Sequence, residues 1–376
     1  MENKKLKVMT ILGTRPEIIR LSEVIKRCDN EFEHILVHTG QNYAYELNEI
    51  FFEELGLRKP DYFLNCVGKN LGETMGNVIS KSYDLMKEVN PDAILILGDT
   101  NSALSAIAAK RLKLPIFHME AGNRCWDWNV AEMTNRTIVD HIADVNMPYS
   151  CYAYQNLMNE GLSPRRTITT GSPMLEVITA HRPQIEASNV LTKLGLEKGK
   201  YIVMSAHREE NVDINEKFLR LYPALNKIAD YYKLPVIFSV HPRTKKKFIE
   251  NGFTLSPYIQ EDKPFGFFEY CKLQENAFVV LSDSGTLTEE SSIFGFPAVL
   301  IRSSTERQEG LLWGSIEEGG VDYKTILKGI ENAVSRRKQI KEAKIVPDYA
   351  RSDVSETVCK TIKKLYNRVN IETWMK

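Results

Sequence analysis

The sequence has no excess of either charge: 49 lysines and arginines face 49 aspartates and glutamates in 376 residues. That balance excludes the broad basic surface that nucleic-acid binding needs, so any anion must be held by a local pocket. Cysteine is sparse and unpatterned. Its six copies, at 28, 66, 125, 151, 271 and 359, include no CxxC pair. Neither a disulfide framework nor a zinc ribbon is expected, and a reducing compartment is. No apolar run approaches the roughly 18 residues of a membrane span. The N-terminal MENKKLKVMTILGTRPE has a basic start, but its apolar segment is too short for a signal peptide and stops at Arg15. These absences predict a cytoplasmic chain with no nucleic-acid and no membrane partner. There is no internal repeat and no low-complexity tract. There is also no GxGxxG after a strand and no GxxxxGKS/T, which removes the main support for a dinucleotide or Walker-type triphosphate site.

What is present is an alternation. LKVMTIL is followed by PEIIRLSEVIKRC, EHILVHTG by YAYELNEIFFEELG, DAILILGD by SALSAIAAKRLK, and PIFHMEAG by NRTIVDHIAD. Short β-rich runs that alternate with longer amphipathic segments are the pattern of βαβ units around a parallel sheet. After a turn-rich connector, TGSPMLEVITAHRPQIEASNVLTKLG, the rhythm restarts with YIVMSAHRE, PVIFSVHPR, AFVVLSDSG and PAVLIRSST. Length also favours two domains over one. The expected fold is α/β, with two Rossmann-like, doubly wound parallel-sheet domains at residues 1–172 and 173–355. A C-terminal helical segment, 356–376, follows, and the pattern does not say where it docks. Ligands of such sheets bind beyond the carboxyl ends of the strands, so the site is expected between the domains.

Several strand ends carry chemistry. GTRPEIIR follows the first strand, and Pro16 suits a first helical turn. A helix N-terminus beside Arg15 attracts anions, although a plain connector has the same form. SDSGTLTEE, residues 282–290, repeats the device. There Ser284, Gly285 and Thr286 let backbone amides approach a diphosphate, and Glu290 can accept from ribose hydroxyls. An N-capped helix with an acidic first turn explains the same letters. SAHREEN and SVHPR set His207 and His241 at strand ends beside Arg208 and Arg243, a repetition better explained by a phosphate pocket than by two structural histidines. HME at 118–120 lacks the PCxxC partner of a zinc deaminase, so no metal is assigned.

Asp99 ends LILGD, Glu120 ends the next strand, and Glu132 follows a loop. Neighbouring strand ends lie about 5 Å apart, so the three carboxylates are expected to crowd one crevice. Crowding separates pKa values, which is how one site holds both an acid and a base near neutral pH. Singly, Asp99 reads as a helix cap and Glu132 as an arginine partner; together the three favour chemistry. Trp126 and Trp128 read as packing residues ahead of sugar platforms, and Cys125 reads as packing.

Taken together, GTRPE, GDTNS, HMEAG, AEMTNR, SAHREEN, VHPR, SDSG with EE after it, and STER resemble the non-hydrolysing UDP-N-acetylglucosamine 2-epimerase family. The motifs run in matching order from about residue 6 to about residue 320. The resemblance implies a GT-B-like fold, an isomerase with no cofactor, a UDP-amino-sugar substrate and a homodimer. It also implies a mechanism: a base removes the proton at carbon 2, UDP leaves carbon 1, and UDP re-adds after reprotonation on the opposite face. By motif match, Asp99, Glu120 and Glu132 are the acid/base carboxylates and His207 stands near the leaving diphosphate. Arg15, His241, Ser284, Gly285 and Glu290 match UDP-binding positions, and Tyr270 falls where an aromatic ring meets uracil. Arg136, Arg208, Thr286 and Arg307, within or beside the same motifs, complete the expected binding set.

The departures from the family pattern concern the substrate. The loop RCWDWNVAEM is shorter than is common and has Met133 where a second glutamate is usual. Arg20 replaces a lysine, Thr286 a glycine and Gln308 a proline, and Asn42 stands where a histidine of the family's allosteric UDP-sugar site is common. The short tryptophan-bearing loop resembles the branch that makes UDP-N-acetyl-L-fucosamine from its L-talose isomer, for capsular or O-antigen precursors. The rivals are a UDP-N-acetylglucosamine 2-epimerase forming UDP-N-acetylmannosamine, a GT-B glycosyltransferase, a hydrolysing epimerase and a non-catalytic UDP-sugar sensor.

Overall fold

The computed structural model describes residues 5–40, 49–206, 208–212, 214–240, 242–262 and 264–376. The chain divides into two compact units, Met1–Ala180 with Arg351–Lys376, and His181–Ala350. In the first, β1 (Lys7–Leu12), β2 (Glu33–His38), β3 (Tyr62–Phe63), β4 (Ala93–Leu97), β5 (Ile116–Met119) and β6 (Val145–Met147) form a parallel sheet in the order β3-β2-β1-β4-β5-β6. In the second, β7 (Ile202–Ser205), β8 (Val236–Ser239), β9 (Ile259–Asp262), β10 (Val279–Ser282), β11 (Ala298–Leu300) and β12 (Glu317–Glu318) pair in parallel as β12-β11-β10-β7-β8-β9. Counted within its own unit, each sheet has the same order. The winding reverses between β1 and β4, and again between β7 and β10, and such reversals open a crevice at the carboxyl ends of the strands. Two Rossmann-like α/β units are what the alternation of strand-like and helical segments predicts.

The central strands are largely apolar because both sheet faces are covered there. AILIL of β4 and IFHM of β5 are buried at every position. In the second unit alternate residues go to opposite cores: Met204, Phe238 and Leu281 pack with Tyr222 and Phe248, while Val203, Ile237 and Val280 pack with Leu273 and Leu287. That is the two-residue period of a strand. The helix Arg15–Glu31 carries Pro16 in its first turn and buries Ile18, Leu21, Val24, Ile25 and Cys28 along one stripe, the spacing of an amphipathic helix laid on a sheet. Asn70 opens the helix Leu71–Val89 by accepting from the Glu73 N–H, and Asn90 closes it with a left-handed φ of 51°.

The unit boundaries fall at 180 and 350, against the expected 172 and 355. The helix Met174–Ala180 stays with the first unit because Glu176 accepts from the backbone N–H of Ser355 at 2.9 Å and from its hydroxyl. The terminal helix Val354–Trp374 lies along Arg15–Glu31, with Cys28 Sγ 3.8 Å from Cys359 Sγ and Lys363 Nζ donating to Glu31 Oε2 at 2.8 Å. Among the described residues, no helix is long and apolar enough to cross a membrane.

Candidate functional site

In the first unit the candidates sit just past the carboxyl ends of β1, β4 and β5. β5 stops at Met119, and Glu120 follows with a φ of 61°, a left-handed backbone uncommon outside glycine. The turn lays its carboxylate against Gly98: a β-carbon added at Gly98 would lie 3.2 Å from Glu120 Oε2, and Gly98 itself has a φ of 70°. Arg20 Nη1 donates to the same Oε2, and Asn123 Nδ2 donates to Oε1 at 3.4 Å. Glu120 and Arg20 are both buried, where a charge without its partner would be costly.

Asp99, next after Gly98, takes two hydrogen bonds on Oδ2, from Arg136 Nε at 2.9 Å and Nη2 at 2.6 Å. Its backbone carbonyl accepts from Asn135 Nδ2 at 3.0 Å. Asp99 is thus no helix cap. Thr100 has that place, accepting from the Ser102 N–H at the start of the short 3-10 helix Asn101–Leu104. Glu132 is the first residue of the helix Glu132–Ile142, half-buried, and the same helix supplies Asn135 and Arg136. Arg15 opens its own helix with its guanidinium 5.7 Å from the centre of the Phe51 ring.

Two buried ionisable groups here, Glu17 and His118, lie within the quoted motifs but carry no role in the sequence reading. Glu17 accepts from the Gly13 N–H at 3.1 Å and from the hydroxyls of Thr14 at 2.7 Å, Thr100 at 3.1 Å and Ser102. Burial pushes its pKa up to about 7, against the pull of those hydrogen bonds. The available signal was the last letter of GTRPE, an acid in the first helical turn after a strand. His118 places Nε2 2.8 Å from the Gly98 carbonyl oxygen and Nδ1 3.0 Å from Asp140 Oδ1. Burial works against its charge, yet Asp140 and the Gly98 carbonyl hold the imidazole above its ordinary range. Asp140 Oδ2 in turn accepts from Arg124 Nη1 at 2.7 Å, and Arg124 Nε donates to Glu160 Oε1 at 2.7 Å. Arg124 therefore braces the turn after β5.

Trp126 and Trp128 are each 63% exposed, which corrects the reading of them as packing residues. Trp126 takes a left-handed φ of 57° in the short loop ahead of Glu132. Met133, at the position where the resemblance leads one to expect a second glutamate, is buried in the core.

In the second unit the candidates gather past β7, β10 and β11. Asp283 Oδ2 accepts from the Arg208 N–H at 2.8 Å and Asn211 Nδ2 at 3.1 Å. Ser284 Oγ lies 2.9 Å from Thr286 Oγ1. Gly285 leaves no room for a side chain: an added β-carbon would lie 2.9 Å from Glu306 Oε1, 3.4 Å from Arg307 Nε and 3.6 Å from Arg208 Nη2. This turn therefore brings Arg208, Ser284, Gly285, Thr286 and Arg307 together. Arg307 is buried with Nη1 3.5 Å from Glu289 Oε2, and Glu290 Oε2 accepts from Gln274 Nε2 at 2.7 Å. Tyr270 lies on the helix Phe267–Asn276, half-buried against the core. His207 and His241 lie outside the described residues. Among the described residues, no three His, Cys, Asp or Glu side chains group so as to hold a metal ion.

One set thus offers carboxylates fixed by arginines, suited to proton transfer. The other offers arginine and a small-residue turn, suited to a diphosphate. The family model described as UDP-N-acetylglucosamine 2-epimerase matches residues 26–363. A protein of Methanococcus maripaludis named UDP-N-acetylglucosamine 2-epimerase is 35% identical over 86% of this chain and 91% of its own. The structure of UDP-N-acetylglucosamine 2-epimerase from Rickettsia bellii matches with a TM-score of 0.91 at 44% identity, covering 99% of this chain and 100% of that one. That of Methanocaldococcus jannaschii UDP-GlcNAc 2-epimerase in complex with UDP-GlcNAc and UDP matches with a TM-score of 0.90 at 30% identity, covering 96% and 100%. With the same GT-B-like pair of sheets and a match that runs through both units, the chain belongs to the UDP-N-acetylglucosamine 2-epimerase family and is an isomerase.

Proposed function

We propose that the chain interconverts the two epimers at carbon 2 of a UDP-N-acetylhexosamine by anti elimination of UDP and its re-addition. A carboxylate takes the carbon 2 proton, and the freed electron pair forms the carbon 1–carbon 2 double bond. The carbon 1–oxygen bond breaks and its electrons leave with UDP. Reprotonation on the opposite face of carbon 2 and attack by UDP at carbon 1 then complete the inversion. The observation that carries this reading is the pair of adjacent strand ends at which Glu120 is held by Arg20 and Asp99 by Arg136. Glu132 is the third carboxylate. Arg15, Arg208, His207, His241, Ser284, Gly285, Thr286 and Arg307 take the UDP side, where positive charge and amides stabilise the leaving diphosphate. Tyr270 is assigned to uracil and Glu290 to ribose. The same reading expects a cytoplasmic homodimer.

For the sugar we favour a 6-deoxy substrate, UDP-2-acetamido-2,6-dideoxy-L-talose, giving UDP-N-acetyl-L-fucosamine for capsular or O-antigen precursors. The support is the short loop with exposed Trp126 and Trp128 and with buried Met133 where a glutamate is usual; an apolar rim suits a methyl in place of a hydroxyl. The relatives' names favour a second reading, conversion of UDP-N-acetylglucosamine to UDP-N-acetylmannosamine. The ratio of kcat/KM for the two nucleotides separates them. A preference of about tenfold or more for the 6-deoxy sugar is expected, the scale on which an apolar pocket discriminates one small group. Full-rate turnover of UDP-N-acetylglucosamine with none of the 6-deoxy sugar would overturn the branch.

A further inference from the structure

We propose that Glu17 is a positioning residue for the epimerase reaction, clamping the turn after β1 to the turn after β4; this rests on the reading that Arg15 and Asp99 act on the substrate. Arg15 follows Thr14 in the chain, and Asp99 precedes Thr100. Glu17 is the carboxylate that holds both neighbours. Oε2 accepts from the Gly13 N–H and the Thr14 hydroxyl on one side and from the Thr100 hydroxyl on the other, and Oε1 accepts from the Ser102 hydroxyl. β1 and β4 are adjacent at the point where the winding reverses, so the clamp sets the spacing of the two turns that flank the crevice.

The groups that face Glu17 from both turns are uncharged: one backbone amide and three hydroxyls. Burial raises its pKa to about 7, so it gains or loses its proton within the working range. The ionised form accepts from all four donors. The protonated form must turn at least one hydroxyl around, because the Gly13 N–H cannot reverse, and the clamp between the turns then loosens. A purely space-filling acid would do as well as its amide, which has the same shape and no charge.

The test measures kcat, KM and their pH profiles for the full chain and Glu17→Gln, with both nucleotide sugars. The expected result is a wild-type kcat that rises with pH through about 7, as ionisation tightens the clamp. Glu17→Gln should have kcat about tenfold lower at pH 8, KM within about threefold, and no inflection near pH 7, a loss on the scale of a small misplacement of catalytic groups. An active wild type with the same kcat and pH profile as Glu17→Gln overturns the proposal alone. A wild type that epimerises neither sugar removes the reading on which it rests, and the proposal with it. Should Glu17→Gln fail to fold, the pair Thr100→Val and Ser102→Ala, which breaks the clamp on the β4 side, decides the matter. A fall in kcat at unchanged KM supports the clamp, and an unchanged kcat overturns it.

Discussion

Arg20 and Glu120 form a buried ion pair across 100 positions of sequence, Nη1 to Oε2, with side chains 9% and 8% exposed. The pair joins the first helix to the end of β5 and fixes the Glu120 carboxylate beside Gly98. Arg20→Met would leave the carboxylate buried without its cation, and we expect about 3–5 kcal/mol of lost stability. Arg20→Lys keeps the charge and should keep most of it. Urea unfolding of the two variants checks this, and equal midpoints would show that the pair contributes nothing.

Glu120→Gln should lower turnover by about 10²–10⁴-fold, the usual share of a general acid or base, while calorimetry finds UDP affinity nearly unchanged. Retained activity would end its acid/base role.

Arg136→Gln removes the cation that fixes the Asp99 carboxylate through two hydrogen bonds. Freeing that group should cost about 10²-fold in kcat with a smaller change in KM. Steady-state kinetics in which KM alone rises would place Arg136 on substrate binding and not on Asp99.

His118 makes stability depend on pH. Its folded pKa is raised, since Asp140 and the Gly98 carbonyl outweigh burial. The stabilisation is therefore fully present below the unfolded value of about 6.5 and is lost as pH rises through the folded value. Asp140 shifts the other way: burial raises it, but His118 and Arg124 hold it below its ordinary range, so its share is lost only in acid. The gap in denaturation midpoint between wild type and His118→Asn should be widest near pH 6 and shrink towards pH 9. A gap constant over that range would mean that only packing was lost.

Trp126 and Trp128 are exposed and cover no core. Replacing both with alanine should change stability by no more than about 0.5 kcal/mol while shifting the preference between the 6-deoxy and hydroxymethyl sugars. A melting point that drops by many degrees would show that the loop packs after all.

The two sheets were legible because β1, β4, β5, β7, β8, β10 and β11 are apolar runs buried on both faces, and hydrophobic pattern alone marks such strands. β3 and β12 have two residues each, and β9 reads IQED; pairing with a neighbour defines them, and hydrophobicity does not. The strand-end residues Asp99 and Glu120 followed from the same logic. Their partners did not. Arg136 lies four positions after Glu132, and that local spacing gives no sign that Arg136 meets Asp99, 37 positions away. Glu17 reads locally as an acid complementing a helix N-terminus; its burial comes from Thr100 and Ser102, 83 and 85 positions on.

The central claim, proton exchange at carbon 2 during reversible loss of UDP, is tested most directly by proton NMR of the purified protein in deuterated water with each nucleotide sugar. The account predicts deuterium at carbon 2 together with appearance of the epimer, and no accumulation of free sugar. Turnover that leaves carbon 2 protonated, or no exchange with either sugar, would contradict it.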